Sequence, residues 1–266
     1  MSELIAGEWR RPDPRVSVLL APNPGPMTLD GTNSHRLAAP GASTGIVIDP
    51  GPDDAGHLRR LAEAGRVDLV LITHRHADHT GGSAGFAALT GAPVRALDPA
   101  FCLDADPLRD GELIEVAGLS VQVVATPGHT ADSVCFMLPA GPTAGPAVFT
   151  GDTILGRGTT VLAPPDGTLR DYLASLHRLR ALGPARVFPA HGPDLPDLTA
   201  ISQQYLDHRE QRLGQIRAAL VTLGTDAAGA TVAAVADVVY ADVDPSVRGA
   251  AESSVAAQLT YLRGDR

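Results

Sequence analysis

Lysine is absent from this chain, whose 21 basic residues are all arginine, set against 30 carboxylates for a net charge of −9. Such a molecule offers no overall attraction to nucleic acid or to an anionic membrane surface. Cysteine is nearly absent too. Cys102 and Cys135 lie far apart and outside any C-x-x-C pattern, which argues against a disulfide framework or a thiolate metal site and leaves buried thiols. Aromatic residues make up only 4% of the chain, few for a surface that stacks single-stranded bases. No apolar run is long enough, without charge or proline, to span a bilayer, and residues 1–16 hold no apolar stretch of leader length. The expected setting is the cytoplasm.

What the chain does have is 266 residues with 44% hydrophobic composition, enough for one large domain or a domain with a small appendage. Short apolar runs alternate with Gly/Pro turns over the first two-thirds. Strands are predicted at 16–20, 34–37, 46–48, 69–72, 94–97, 119–125, 134–138, 147–149 and 187–188, and helices at 54–64, 82–89 and 169–182. Many short strands with fewer helices imply an α/β protein, its sheets packed inside helical layers. PAGPTAGPA, residues 139–147, reads as a flexible loop. From about residue 198 three helical patterns follow one another, with Thr231, Pro245 and Ser246 as start signals for the second and third. The expected division is therefore 1–197 and 198–266. Three helices can build a DNA-binding unit, but residues 201–266 carry six arginines against eight carboxylates. A lid, a dimer contact or both suits that module better than DNA.

Chemistry concentrates at LITHRHADHTGG, residues 71–82, where His74, His76, Asp78 and His79 follow the buried-strand pattern VDLVLI. Ligands gather at the carboxyl ends of strands in α/β sheets, where loops aim side chains at one point. Neutral imidazole binds borderline-soft cations such as Zn²⁺, and His-x-His-x-Asp-His offers four ligands, enough to contribute to two ions. One histidine there would read as solvated loop; three with a carboxylate do not. The pattern recurs at other strand ends: His129 in TPGHT, Asp152 in TGDT and His191 in PAHG. Any one alone is weak, and the series carries the inference.

Together these motifs, in this order, resemble the full motif set of the metallo-β-lactamase-fold hydrolases, over roughly residues 16–195. The resemblance implies a four-layered αββα sandwich with a metal site at one edge, followed here by the small C-terminal helical module. It implies that His74, His76 and His129 hold one metal, that Asp78, His79 and His191 hold a second, and that Asp152 bridges both. Two Zn²⁺ would share a water and lower its pKa, making hydrolysis by a bridging hydroxide the natural reaction, with Asp78 as ligand and proton acceptor. Fe or Mn suit the same ligands. The chain departs from true metallo-β-lactamases, which lack the bridging aspartate, and the 152–191 interval is too short for the inserted domain of RNA-processing relatives.

Residues 23–34, 151–179 and 205–213 resemble the beta-lactamase-like-protein-two group, which carries a C-terminal winged-helix-like module and includes an endoribonuclease acting on single-stranded RNA. This chain stops soon after the third helix, so the β-wing is expected to be missing or minimal. Sparse aromatics and the acidic module rank a small ester, thioester or lactone above RNA as substrate. A metal-binding scaffold is the reading from another class, although a scaffold does not need an open two-metal centre. Asn33, Tyr172 and His208 are the expected substrate-binding residues. Arg157, Arg170 and Arg209 are candidates for a phosphate cleft, each read first as solvated surface. His35 and His57, without supporting neighbours, are expected on the surface.

Overall fold

The computed structural model describes residues 5–264 apart from 143, 243, 245 and 246. Two sheets face each other. The first joins β1 (Trp9–Asp13), β2 (Val16–Leu20), β3 (Asn33–Leu37), β4 (Thr44–Ile48), β5 (Arg66–Leu71) and β6 (Val94–Arg95) in sequence order. The second joins β7 (Leu113–Val116), β8 (Leu119–Ala125), β9 (Val134–Leu138), β10 (Ala147–Gly151) and β11 (Arg186–Pro189), also as sequence neighbours. Pairing is antiparallel in the hairpins and parallel between β4 and β5, β5 and β6, and β10 and β11.

The layering follows from the two-residue period of a strand. Ile46 and Ile48 of β4 and Leu69 and Leu71 of β5 enter one core with Val121 and Val123 of β8, Phe136 of β9 and Phe149 of β10. Their neighbours Val47 and Val70 turn the other way, onto Leu58 and Leu61 of α1 (Ala55–Glu63) and Phe86 of α3 (Ser83–Thr90). In the second sheet, Cys135 and Val148 turn outward onto Tyr172, Leu176 and Leu179 of α4 (Leu169–Ala181). Helices, sheet, sheet and helices give the expected four-layered αββα sandwich.

Two strands escape the sequence pattern, and both are edges. β1 reads WRRPD, and an edge strand tolerates such arginines and a proline because one side makes no ladder. β7 turns into β8 through Ala117 and Gly118, at φ 53° and 71°, a hairpin that an Ala-Gly pair does not announce. His35 and His57 are not on the surface. His35 lies in the intersheet core against Phe149 and Phe188, and His57 meets the Ser34 hydroxyl at 2.8 Å. Of the two thiols, Cys135 is buried and Cys102 half-buried.

Three helices follow: α5 (Leu198–Leu223), α6 (Val232–Val239) and α7 (Arg248–Arg263). Asp197 and Thr231 cap the first two by accepting from Ala200 N–H and Ala234 N–H, while Pro245 and Ser246 fall outside the described residues. Tyr205 and Leu213 of α5 share a buried cluster with α4, and Ile216 and Leu220 pack with Val235, Val255 and Leu259. No strand follows Pro189 among the described residues, so no β-wing is among them. No helix there is long and apolar enough to cross a membrane.

Candidate metal centre

Strand direction builds the site. β9 runs antiparallel to both β8 and β10, and β11 runs parallel to β10, so the carboxyl ends of β8, β10 and β11 share one edge. His129, Asp152 and His191 stand in the loops that leave those ends. The opposite sheet sends β4 and β5 out in parallel, ending at Asp49 and at the 74–79 loop. That loop closes with a one-turn helix α2 (Ala77–Thr80), which carries Asp78 and His79 with His76 at its N-cap. Gly128 (φ 138°) lets the His129 loop pass against the backbone of Tyr172, where an added Cβ would stand 2.4 Å from that residue's Cα.

All seven expected side chains come together. Their ligand atoms form two groups, His74, His76, His129 and Asp152, and Asp78, His79 and His191, each within 4.8 Å. In the first, His76 Nδ1 lies 3.0 Å from His74 Nε2 and 3.1 Å from His129 Nε2. In the second, Asp78 Oδ2 lies 3.2 Å from His79 Nε2 and 3.1 Å from His191 Nε2. Asp152 touches both: Oδ2 stands 3.6 Å from His129 Nε2, and Oδ1 stands 3.3 Å from His191 Nε2 and 3.6 Å from His79 Nε2.

The rings are held from behind. His129 Nδ1 donates to Val161 O at 2.9 Å, His191 Nδ1 to Gly31 O at 3.0 Å and His79 Nδ1 to the Asp49 carboxylate at 2.8 Å. Each bond fixes a proton on Nδ1 and points Nε2 into the site. Asp49 is a residue the sequence reading missed. It is 1% exposed and also accepts from the Thr73 N–H at 2.8 Å and the Thr73 hydroxyl at 2.6 Å, beside His74. The signal was there: IDPG sets a carboxylate after the buried strand TGIVI, the same strand-end logic that found Asp152.

The electrostatics split the centre. Burial first, then the neighbouring imidazoles, lower the pKa values of His74 and His76 and keep them neutral. At His79 burial opposes protonation, but Asp152 and Asp49 outweigh it and raise the pKa well above the ordinary value. His191 is raised to about 9, burial again yielding to Asp152 and Asp78. Burial opposes ionisation of Asp78 and Asp152, yet the facing imidazoles carry both below the usual carboxylate range.

The donor set fits two cations. Nε2 of His79, Nε2 of His191 and Oδ1 of Asp152 are buried without a hydrogen-bond partner, and all three turn to the same point. Buried polar atoms are normally paired. Ligands about 2.0–2.1 Å from one tetrahedral ion stand roughly 3.3–3.4 Å apart, the scale of the separations above. His129 and Asp152 also line a cleft of about 220 Å³, together with Pro26, Met27 and Leu29 and residues 157–161. Arg157 is exposed, as its surface reading expected, and pairs with Asp30 through two nitrogens.

The remaining candidates lie behind or beside the cleft. Asn33 is fully buried and donates to the carbonyls of Pro189 and Gly192 at 3.1 and 2.9 Å, holding the His191 loop. Tyr172, also fully buried, donates to Thr153 O at 2.6 Å beside Asp152. Both side chains make positioning contacts from buried sites behind the cleft. Arg209 is 5% exposed and donates to Thr160 O, so it is not solvated surface; Arg170 is exposed and reaches Gly264 O at 3.4 Å. His208 is half-buried in a second hollow beyond residues 159–161.

Residues 27–191 match the family model described as the metallo-beta-lactamase superfamily. The chain is 32% identical to the beta-lactamase-like protein 2 homolog of Caenorhabditis elegans, over 94% of this chain and 84% of that protein. It is 35% identical to the atrochrysone carboxyl ACP thioesterase of Aspergillus fumigatus, over 78% of this chain and 65% of that protein. Among solved structures, a metallo-beta-lactamase family protein from Thermus thermophilus superposes with a TM-score of 0.75 at 23% identity, covering 94% of each chain. A protein solved in a di-iron-bound form superposes at 0.54 with 27% identity, over 68% of this chain and 96% of that one.

Proposed function

The chain belongs to the metallo-beta-lactamase superfamily, whose members are generally hydrolases, and on that premise we propose that it hydrolyses a small ester, thioester or lactone at a two-metal centre. One observation carries the reading: the two oxygens of Asp152, which lines the cleft, face two separate ligand groups. His74, His76 and His129 would hold one ion, Asp78, His79 and His191 the other, and Asp152 would join them. Zn²⁺ suits the imidazole-rich set, and iron, present in the relative solved in a di-iron-bound form, or manganese suits it too. Two bound divalent ions supply water activation and polarisation of a carbonyl.

The residues of the chain do the rest. The Nδ1 hydrogen bonds to Val161, Gly31 and Asp49 orient three rings before substrate arrives, so no reorganisation accompanies reaction. Asp78 is the more exposed of the two carboxylates, at 26% against 11% for Asp152, and receives the proton from the attacking water. Pro26, Met27 and Leu29 would give the acyl group an apolar surface to pack against. The fungal relative named as an acyl-carrier thioesterase supports the thioester among the three substrates. The net charge of −9 argues against polyanionic RNA. A cytoplasmic enzyme with a helical C-terminal unit over residues 198–266 completes the proposal.

Elemental analysis of the purified protein, with turnover of a thioester, a lactone, bis-p-nitrophenyl phosphate and a single-stranded RNA, tests it. The expected result is two metals per chain and thioester or lactone turnover, lowered about 10²–10³-fold in His76→Ala and Asp152→Ala. Cleavage of RNA and the phosphodiester alone would transfer the site to nuclease chemistry. A metal-free protein that no added ion activates on any substrate would refute the enzyme reading.

A further inference from the structure

Beside the cleft lies a second hollow of about 360 Å³, walled by α5, by Tyr240 and by the start of α7. Thr159, Thr160 and Val161 line both hollows, so this segment is their common wall. It is fastened to the metal centre from one side, where Val161 O accepts from His129 and the Thr160 hydroxyl donates to Asp152 O. From the other side Thr160 O accepts from Arg209.

The second hollow gathers His208, Arg209 and Arg212 with no carboxylate among its lining residues. Arginines nearby are matched by carboxylates: Arg157 by Asp30, Arg217 by Glu210, and Arg248 by Asp237 and Glu252. Arg209 and Arg212 have no carboxylate within ion-pairing distance among the described residues. Arg209 is 5% exposed, its guanidinium lies 4.9 Å over the Tyr172 ring, and its Nε has no partner. Arg212 lies 4.5 Å over the Tyr240 ring and bonds only the Gln215 amide oxygen. His208 Nδ1 is also buried without a partner, and burial followed by the two guanidiniums lowers its pKa with no carboxylate acting against them. Two partly desolvated guanidiniums with no counter-charge are costly in a folded protein, the more so in one with 30 carboxylates available to pair them. A planar, forked donor of this kind matches phosphate and carboxylate oxygens.

We propose that this hollow binds an anionic group, phosphate or carboxylate, at the far end of the substrate, with His208 and Arg212 as its contacts. The substrate class is then an acyl ester or thioester with an anionic tail. Its acyl carbon lies at the metal centre and its tail crosses residues 159–161 into the second hollow. Arg209, bonded to Thr160, adds positive charge from behind and holds the shared wall in place. The inference rests on the hydrolase reading for the acyl end only.

Three thioesters separate the possibilities: S-acetyl-4′-phosphopantetheine with a phosphate tail, S-acetylglutathione with carboxylates, and neutral S-acetylpantetheine. The expected result is a kcat/KM preference for one anionic tail on the order of ten- to a hundredfold over the neutral substrate, carried by KM. Arg212→Gln and His208→Leu lower that preference about tenfold or more, whereas Arg217→Gln, the same charge change on an exposed part of α5, keeps it. The more strongly preferred arm identifies phosphate or carboxylate. Equal kcat/KM on all three, or a preference that survives Arg212→Gln, overturns the proposal. Calorimetric titration with the uncleavable thioether S-ethyl-4′-phosphopantetheine, and with S-ethylglutathione, runs alongside. Binding that Arg212→Gln weakens, with no thioester, ester or lactone turned over in the presence of added metal, supports the anion site while sinking the hydrolase reading; turnover without Arg212 dependence does the reverse.

Discussion

Asp49→Asn probes how far the metal centre depends on residues outside the ligand set. The carboxylate takes three hydrogen bonds, from Thr73 N–H and the Thr73 hydroxyl at 2.8 and 2.6 Å and from His79 Nδ1 at 2.8 Å. Asparagine keeps the shape but replaces one accepting oxygen with an NH₂ group. With Oδ1 kept on the Thr73 N–H, that NH₂ faces the Thr73 hydroxyl and His79 Nδ1, two groups that must donate inward if the rings are to keep their tautomer. Either the ring loses its proton from Nδ1 or a buried donor is left unpaired. Hydrogen bonds to a charged acceptor contribute about 1.5–3 kcal/mol, and loss of the carboxylate behind a metal-binding histidine typically weakens metal affinity about 10–100-fold. Competition against a chromogenic zinc chelator, read for both equivalents, measures this directly. The expected outcome is a 10–100-fold weaker equivalent, the one held by His79, with unfolding free energy lowered by about 1–3 kcal/mol. If both equivalents bind within threefold of the unaltered protein while Asp152→Asn weakens them, the tautomer argument fails.

Two further predictions concern the scaffold. His35 sits neutral in the intersheet core, with burial and then Arg10 lowering its pKa to about 3 from an ordinary 6.5. Below pH 6.5 the unfolded chain takes a proton that the folded one refuses, so stability falls by about 1.4 kcal/mol per pH unit from 6.5 down towards 3. Urea unfolding of His35→Leu should therefore show a pH slope shallower by about that amount between pH 6.5 and 4.5, and an unchanged slope would contradict a neutral buried imidazole. Gly128→Ala places a Cβ 2.4–2.6 Å from Tyr172 backbone and Cβ atoms at a φ of 138°, so it should lower stability by roughly 3 kcal/mol or more. Gly249→Ala, on an exposed turn of α7 with nothing within 4 Å, should raise it by up to about 1 kcal/mol, and similar melting shifts for both would refute the close-contact argument.

Much of the centre was legible because its signals are local. Each candidate ligand follows an apolar run and a small-residue turn, and strand periodicity together with glycine and proline chemistry mark both without tertiary information. The same periodicity anticipated nine of the strands and missed β1 and β7, whose single-sided pairing relaxes the pattern. His35 and His57 were misplaced for the opposite reason. Polar residues read as surface unless the fold encloses them, and His35 is enclosed by rings from β10 and β11, far along the chain. Arg209 belongs to the same class: on an isolated helix it is a solvated cation, and only docking of α5 against residues 158–160 buries it.

The sequence by itself determined the candidate ligand set, the strand and helix layers and the acidic balance of the chain, because these depend on residue type and short-range spacing. The tertiary structure decided which Asp152 oxygen faces which group, that Asp49 stands behind His79, and that Asn33 and Tyr172 hold loops while His208 and Arg212 border a second hollow. Those outcomes depend on the packing of segments far apart in the chain, and no local pattern specifies the direction in which a side chain meets them.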